Sequence, residues 1–331
     1  MEPNNTPSIA IIGAGIAGLT AALRAREAGL APTVFEKSRG PGGRLASKRA
    51  GDGTSVDMGA QFFTVRNPRF RALLEQYAGE DAFGLWNATL WHENAQGEVG
   101  SFHQALRYVG TPRMTAATRA LAHDLPIHAE TRITALTPVA GGWCLDTAQG
   151  RHGPFSRVVM TAPPEQARAL LPDSVTSSLG LDRFSMLPCW AVALKFDEAP
   201  APGFDGMQLA HECLGWVARN TSKPERGTAE WWVLHANSTW SETHRNADAG
   251  DVAATLTTAF RERFNIRQTA SDHLVHRWLY ARPARRQDPD PGFLGTADGT
   301  LGLCGDWLAG GRAEGAFESA DSLMAAWFTH T

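Results

Sequence analysis

A chain of 331 residues with 43% hydrophobic content is too long for one simple core and predicts two domains. Its net charge of −3, without a long single-sign run, argues against a nucleic-acid binder. The amino terminus, MEPNNTPSIA, lacks a basic region, and glycines and Arg24 and Arg26 break the apolar stretch behind it, so neither a signal peptide nor a membrane span is expected there.

The first element is the apolar run Ile9–Ile12, read as a strand, followed by a glycine turn, a helical pattern and a second apolar run ending in Glu36. Gly13, Gly15 and Gly18 make G-x-G-x-x-G, with Ile16 and Ala17 opening the helix. The first glycine permits a tight turn, the second lets backbone approach a pyrophosphate, and the third lets helix pack on strand. The helix start adds free N–H groups and partial positive charge. Glu36 falls where a carboxylate accepts the ribose hydroxyls of an adenosine, so the stretch predicts a dinucleotide site, with nicotinamide or flavin open at this point. A second glycine-rich turn follows at Lys37, Ser38, Arg39 and Gly42–Arg44, offering further N–H groups and a guanidinium to the same phosphates. Next comes Asp57-Met58-Gly59-Ala60-Gln61, a glycine-containing segment that can run beside a planar ring.

This series, G-x-G-x-x-G, an acid, G-G-R and then D-x-G-A-Q, resembles the flavin-binding amino terminus of the monoamine-oxidase-like FAD enzymes. The resemblance implies FAD, with Glu36 at the adenosine ribose, Arg44 at the phosphates and Gly59–Gln61 beside the isoalloxazine; Lys37, Ser38, Gly43 and Met58 are further candidates for the same cofactor. It also implies that the strand near Ile133 contacts adenine through its backbone.

Beyond this point the spacing of Phe70, Leu73, Leu74 and Tyr77 predicts a helix, and Thr111–Leu125 a second one with Pro112 near its start. Ile127–Leu136, Gly142–Thr147 and Phe155–Ala162 are predicted strands, the last returning to the nucleotide sheet. Trp190–Phe196, Gly215–Asn220, Glu230–Ala236 and His273–Ala281 are predicted strands of a sheet with one covered face, and Asp248–Phe264 an amphipathic helix. Six of the eleven tryptophans fall between Trp190 and Trp278, most of them expected in a core. The four scattered cysteines predict reduced thiols in a cytoplasmic protein, with no metal site. At the end, an apolar strand runs into Gly305-Asp306, and Glu314-Gly315-Ala316 opens a helix aimed at the same ligand. Asp306 can accept a ribityl hydroxyl. The cysteine-containing motif that carries covalent flavin in some amine oxidases is missing, so FAD is expected to be held noncovalently.

The expected architecture is α/β: a Rossmann-type FAD-binding domain of the monoamine-oxidase/p-hydroxybenzoate-hydroxylase kind (residues 1–66, 110–163 and 290–331). A discontinuous α+β substrate domain with a mainly antiparallel sheet takes 67–109 and 164–289. The central loop around Arg219, Lys223 and Arg226, with Arg277 and Arg282 among aromatics, predicts a pocket for an anionic substrate. Phe63, Trp231, His235, His276, Trp278 and Tyr280 are candidates for its wall. These segments, together with C-G-D-W and G-R-x-E-G-A, resemble the bacterial renalases over nearly the whole chain. That resemblance implies oxidation of the 2-dihydro (in some members 6-dihydro) isomers of NAD(P)H to NAD(P)+, with O2 reoxidising the flavin to give H2O2. No Ser-His-Asp, paired-carboxylate or His-metal set is found, in keeping with a hydride transfer that needs no strong base. The partners expected are thus a dinucleotide substrate and O2, with no nucleic acid and no membrane. A flavin amine oxidase and a non-catalytic flavin redox sensor remain as alternative readings.

Overall fold

The computed structural model describes residues 8–103 and 105–328; residues 1–7, read above for their lack of basic character, lie outside it. A six-stranded sheet forms the first layer, in the order Leu294–Gly295, Leu301–Leu303, Arg157–Met160, Ile9–Ile12, Pro32–Phe35, Ile127–His128. Five of these strands run parallel and only the Leu294–Gly295 edge is antiparallel. Ile9–Ile12 is buried along its length, as a parallel strand covered on both faces must be. The helices Ile16–Glu27 and Ala313–Phe328 pack on one face, in a core that includes Leu19, Leu23, Phe317 and Leu323. On the other face lies a three-stranded antiparallel sheet, Ile133–Val139, Gly142–Thr147 and Gly150–Phe155.

A seven-stranded, mainly antiparallel sheet forms the second body. Its order is Asp272–Pro283, Met186–Phe196, Glu230–Ala236, Leu214–Arg219, Gly206–Gln208, Leu90–Glu93, Val99–Ser101. Strand alternation sends Trp190, Val192, Leu194, Trp232 and Leu234 to an outer face covered by Val252, Leu256 and Phe260 of the helix Ala249–Phe264. The Asp248 side chain caps that helix, accepting from the Gly250 and Asp251 amides. The opposite face, carrying Trp231, Val233, His235 and Trp278, turns toward the first body. Of residues 67–109, Leu90–Glu93 and Val99–Ser101 enter this sheet. The helix Pro68–Tyr77 packs instead with Thr115–Leu121 and Ala313–Phe328, and Phe83–Leu85 pairs with Tyr108–Gly110. No helix among the described residues is long and apolar enough to cross a membrane.

Three predicted elements differ from what is seen. The helix expected over Thr111–Leu125 forms only at Thr115–Leu121, because the preceding turn spends its backbone on side chains: the Met114 amide donates to Asp57 and the Gly110 carbonyl accepts from Arg226. The strand expected over Ile127–Leu136 is two strands. Between them the Glu130 and Thr131 amides bond to the carbonyls of Ser38 and Glu36, turning the chain out of the parallel sheet. The strand expected to start at Phe155 begins at Arg157, and Gly150–Phe155, whose glycines and proline read as a turn, is a strand of its own.

Candidate active site

The carboxyl ends of the parallel strands open into a cavity of about 1060 Å³ whose far wall is the inner face of the seven-stranded sheet. Open α/β sheets bind their ligands at this edge. Three glycine positions explain why the loop after Ile12 can cradle a phosphate. Gly13 sits at φ +103°, and a Cβ on Gly18 would lie 1.9 Å from the Gly13 carbonyl oxygen, so helix and loop touch without a side chain between them. A Cβ on Gly15 would meet nothing within 4 Å and would project toward open space beside the cavity. The second glycine turn abuts the first: the Gly42 amide donates to the Ala14 carbonyl, and a Cβ on Gly43 would stand 3.5 Å from the Gly15 Cα. Glu36, nearly buried, accepts from the Ala14 amide at 2.8 Å and the Ser38 amide at 2.7 Å, so its carboxylate is fixed at the rim of both turns. Each oxygen keeps a lone pair for a hydroxyl.

Asp306 follows the strand Leu301–Leu303 at the same edge and pairs with Arg44 through two hydrogen bonds, one of 2.8 Å between Nη1 and Oδ2. Arg44 also donates to the Ala281 carbonyl, which ties the glycine turn to the far wall. Beside them runs Asp57–Gln61, clamped from several sides. The Met58 carbonyl accepts from Trp278 Nε1 at 2.9 Å and bonds His235 Nε2 at 3.1 Å. Gln61 donates to the Asp57 and Gly59 carbonyls and accepts from Lys223 Nζ at 2.9 Å. A Cβ on Gly59 would lie 2.1 Å from the Arg44 carbonyl oxygen, which makes glycine obligatory there.

Underneath, Asp57 is the centre of a fully buried ionic cluster. Its Oδ2 bonds Arg226 Nη2 at 2.8 Å, Arg226 Nε at 3.1 Å and Lys223 Nζ at 3.2 Å, while Oδ1 takes the Ser47 hydroxyl and the Met114 amide. Burial alone would raise the Asp57 carboxyl, but the Lys223 and Arg226 charges hold it down at about 2. Burial dominates at Lys223, which outweighs its Asp57 partner and depresses the ammonium to about 8, with Arg226 adding to the fall. The two shifts agree: two cations share one carboxylate, and losing the Lys223 proton leaves Asp57 and Arg226 a balanced pair.

Of the residues predicted for the cofactor, Gly13, Gly15, Ile16, Ala17, Glu36, Lys37, Ser38, Gly43, Arg44, Gly59, Ala60, Ile133, Gly305, Asp306 and Ala316 line the cavity. Gly18, Met58, Gln61, Glu314 and Gly315 do not; they hold the elements that do. Glu314 is spent on the Asn67 amide at 2.6 Å, the Arg66 amide and the Thr64 hydroxyl. Gly315 lies against Ala309, where a Cβ would stand 1.8 Å from the carbonyl oxygen.

Among the residues predicted for the substrate, His235, Trp278 and Tyr280 are on the wall. The others need correction. Arg219 makes a bidentate pair with Glu230 at 2.8 and 2.9 Å, and Lys223 is sealed in the Asp57 cluster, so the central loop's charges are neutralised within the protein. Trp231 is wholly buried beneath Met58, Phe63 packs with Phe70 and Tyr108, and His276 sits edge-on to Trp278 at 4.3 Å from its ring centre. The cations that do reach the cavity are Lys37, Arg132, Arg282 and Arg312, besides Arg44, while the Arg277 guanidinium lies over Trp190 on the outer face and donates to the Arg245 carbonyl. Trp216 was missed as a wall residue; its register opposite His235 is the signal that would have found it.

A protein-family model described as flavin containing amine oxidoreductase matches residues 87–322, and one for an NAD(P)-binding Rossmann-like domain matches residues 11–77. The chain belongs to the flavin-containing amine oxidoreductases. Its cofactor is FAD. The fold of this family is shared across wide divergence. A candidate protoporphyrinogen oxidase from Exiguobacterium sp. 255-15 superposes with a TM-score of 0.80 at 14% identity, covering 99% of this chain and 100% of that one. Putrescine oxidase bound to putrescine gives 0.78 at 13% identity, covering 98% and 99%. In sequence, the tRNA 5-methylaminomethyl-2-thiouridine biosynthesis bifunctional protein of Magnetococcus marinus is 29% identical over a 225-residue alignment that covers 55% of this chain. This chain spans 33% of that relative's length.

Proposed function

We propose that this flavoenzyme oxidises isomeric dihydronicotinamide dinucleotides, the 2-dihydro or 6-dihydro forms of NAD(P)H, to NAD(P)+, with O2 as the final acceptor and H2O2 as its product. Bound FAD supplies the two-electron acceptor for such a step. The observation that carries the reading is the charge of the cavity: Lys37, Arg44, Arg132, Arg282 and Arg312 line it against only Glu36 and Asp306. Asp306 is taken up by Arg44, and the cavity-lining residues contributed by the seven-stranded sheet include no carboxylate. Arg282 and Arg312 have no acidic partner among the described residues, and they flank the contact between Pro283 and Gly311. A phosphorylated substrate satisfies such groups, whereas an ammonium would be repelled by them.

The roles follow from position. The two glycine turns and the start of the helix Ile16–Glu27 hold the pyrophosphate of FAD, Glu36 its ribose, and Asp306 with Arg44 its ribityl and phosphate portion. Cys304 is fully buried and off the cavity wall, which supports noncovalent binding. Trp216, Trp278 and Tyr280 supply flat apolar surface against which a dihydropyridine can stack, positioning being the main demand of the step.

Anaerobic mixing with 2-dihydro- and 6-dihydro-NAD(P), ordinary NADH, and putrescine and other amines decides the matter. Bleaching of the flavin by an isomeric dihydronucleotide alone is the expected result. Bleaching by amines alone would replace this reading with amine oxidation, and bleaching by nothing would leave a non-catalytic flavoprotein.

A further inference from the structure

A polar feature of the sheet wall that the reading above leaves unused is His235. Its Nε2 lies 3.1 Å from the Met58 carbonyl, an oxygen that also takes the Trp278 indole proton. A carbonyl only accepts, so Nε2 carries the ring hydrogen. Burial, reinforced by the nearby Lys223 charge and only partly opposed by the Met58 bond, pushes the imidazole down to about 4, and the ring is neutral at ordinary pH. Nδ1 is therefore a lone-pair acceptor. It makes no hydrogen bond to any described residue, and its residue lines the cavity.

The surroundings decide what it accepts from. His235 stands directly opposite Trp216 in the neighbouring strand, and Trp278 is tied to the same Met58 carbonyl. Met58 immediately precedes Gly59 and Ala60 on the cavity wall. The acceptor is thus set between two indoles, at the flat part of the chamber and away from the Lys37 and Arg132 end. Two polar groups close by are already spent. Asn237 donates to the His211 and Glu212 carbonyls and accepts from the Trp240 amide, and the Cys189 thiol donates to main-chain carbonyls.

We propose that His235 is a specificity-determining positioning residue whose Nδ1 accepts a hydrogen bond from the carboxamide N–H of the nicotinamide ring, fixing which face and edge of the ring is presented. The inference rests on the dinucleotide reading. A ring bearing a methyl ketone in place of the carboxamide has the acceptor but lacks the donor, and would leave Nδ1 unpaired in a dry site.

The test is equilibrium binding to the oxidised holoenzyme, read from the shift of the flavin absorption band. The probes are NAD+ and its 3-acetylpyridine counterpart. The wild-type protein is expected to prefer NAD+ by about tenfold, the worth of one such hydrogen bond. His235→Gln keeps a donor for the Met58 carbonyl but places no acceptor at the Nδ1 position, so its preference should fall to within about twofold of unity. His235→Asn restores an acceptor near Nδ1 and should recover preference, an outcome that a merely structural role would not give. Equal wild-type affinity for the two probes overturns the proposal without any variant. An undiminished preference in His235→Gln also overturns it, while leaving the dinucleotide reading intact if the isomers still bleach the flavin. Should neither probe shift the spectrum and neither isomer bleach it, both fall together.

Discussion

Glu36 and Asp57 show how differently two nearly buried carboxylates can serve one site. Glu36 accepts from two main-chain amides, one in the first glycine turn and one in the second. Glu36→Ala is therefore expected to weaken FAD binding about 10- to 100-fold, measured by flavin release, since a charge-assisted set of bonds and the rim it fixes are both lost. Asp57 is surrounded by positive charge with no solvent access. Asp57→Asn should cost about 3–5 kcal/mol in urea unfolding, because two cations are left uncompensated. Lys223→Met should cost clearly less, since Arg226 remains to balance Asp57. The half-buried His235 gives a pH signature of known sign. Its folded value near 4 lies below the ordinary 6.5, so between those values the unfolded chain binds the extra proton and stability falls as pH is lowered. Replacing His235 with Gln should flatten that acid limb by about 3 kcal/mol between pH 7 and 4, compared by denaturant titration at both ends.

At the scale of elements, the strand–turn–helix of Ile9–Glu27 shows that sequence is most legible where backbone is packed against backbone. Gly13 and Gly18 face atoms within 2.5 Å of where a Cβ would stand, and Gly15 faces none. Gly18→Ala should accordingly destabilise the fold. Gly15→Ala should leave apoprotein stability within about 1 kcal/mol while weakening FAD binding, because its methyl enters ligand space. A thermal melt with and without FAD separates the two. The same logic explains why the glycine turns, Glu36 and Gly305-Asp306 could be read from the chain, for each has a local backbone reason to exist. The substrate wall could not be read so easily. Arg219 and Lys223 look from their spacing like a cationic lip, yet their carboxylate partners lie 11 and 166 residues away; strand pairing brings in the first, and the packing of the Asp57 segment against the central loop brings in the second. Trp231 and His235 share a strand face, and which of them is covered depends on a segment far earlier in the chain.

For the whole molecule, the two bodies are interleaved: the parallel sheet draws on Ile9–Phe35, Ile127–Met160 and Leu294–Leu303, and the larger sheet on the stretches between. The cavity therefore exists only in the complete assembly, and its positive lining is a property of all the segments together. Dinucleotide affinity should fall steeply with added salt, and Arg282→Ala should both weaken binding about 3- to 10-fold and shallow that salt dependence, by titration at several ionic strengths.

The Met58 oxygen gathers these threads. It is a single atom of the coenzyme side grasped at once by two strands of the opposing sheet, so the gap between the bodies is spanned by a rivet. Those two bonds set the spacing between the coenzyme side and the wall that faces it. Whatever molecule is to lie between them has to be thin enough for that gap, with the Trp216 and Trp278 indoles on its wall.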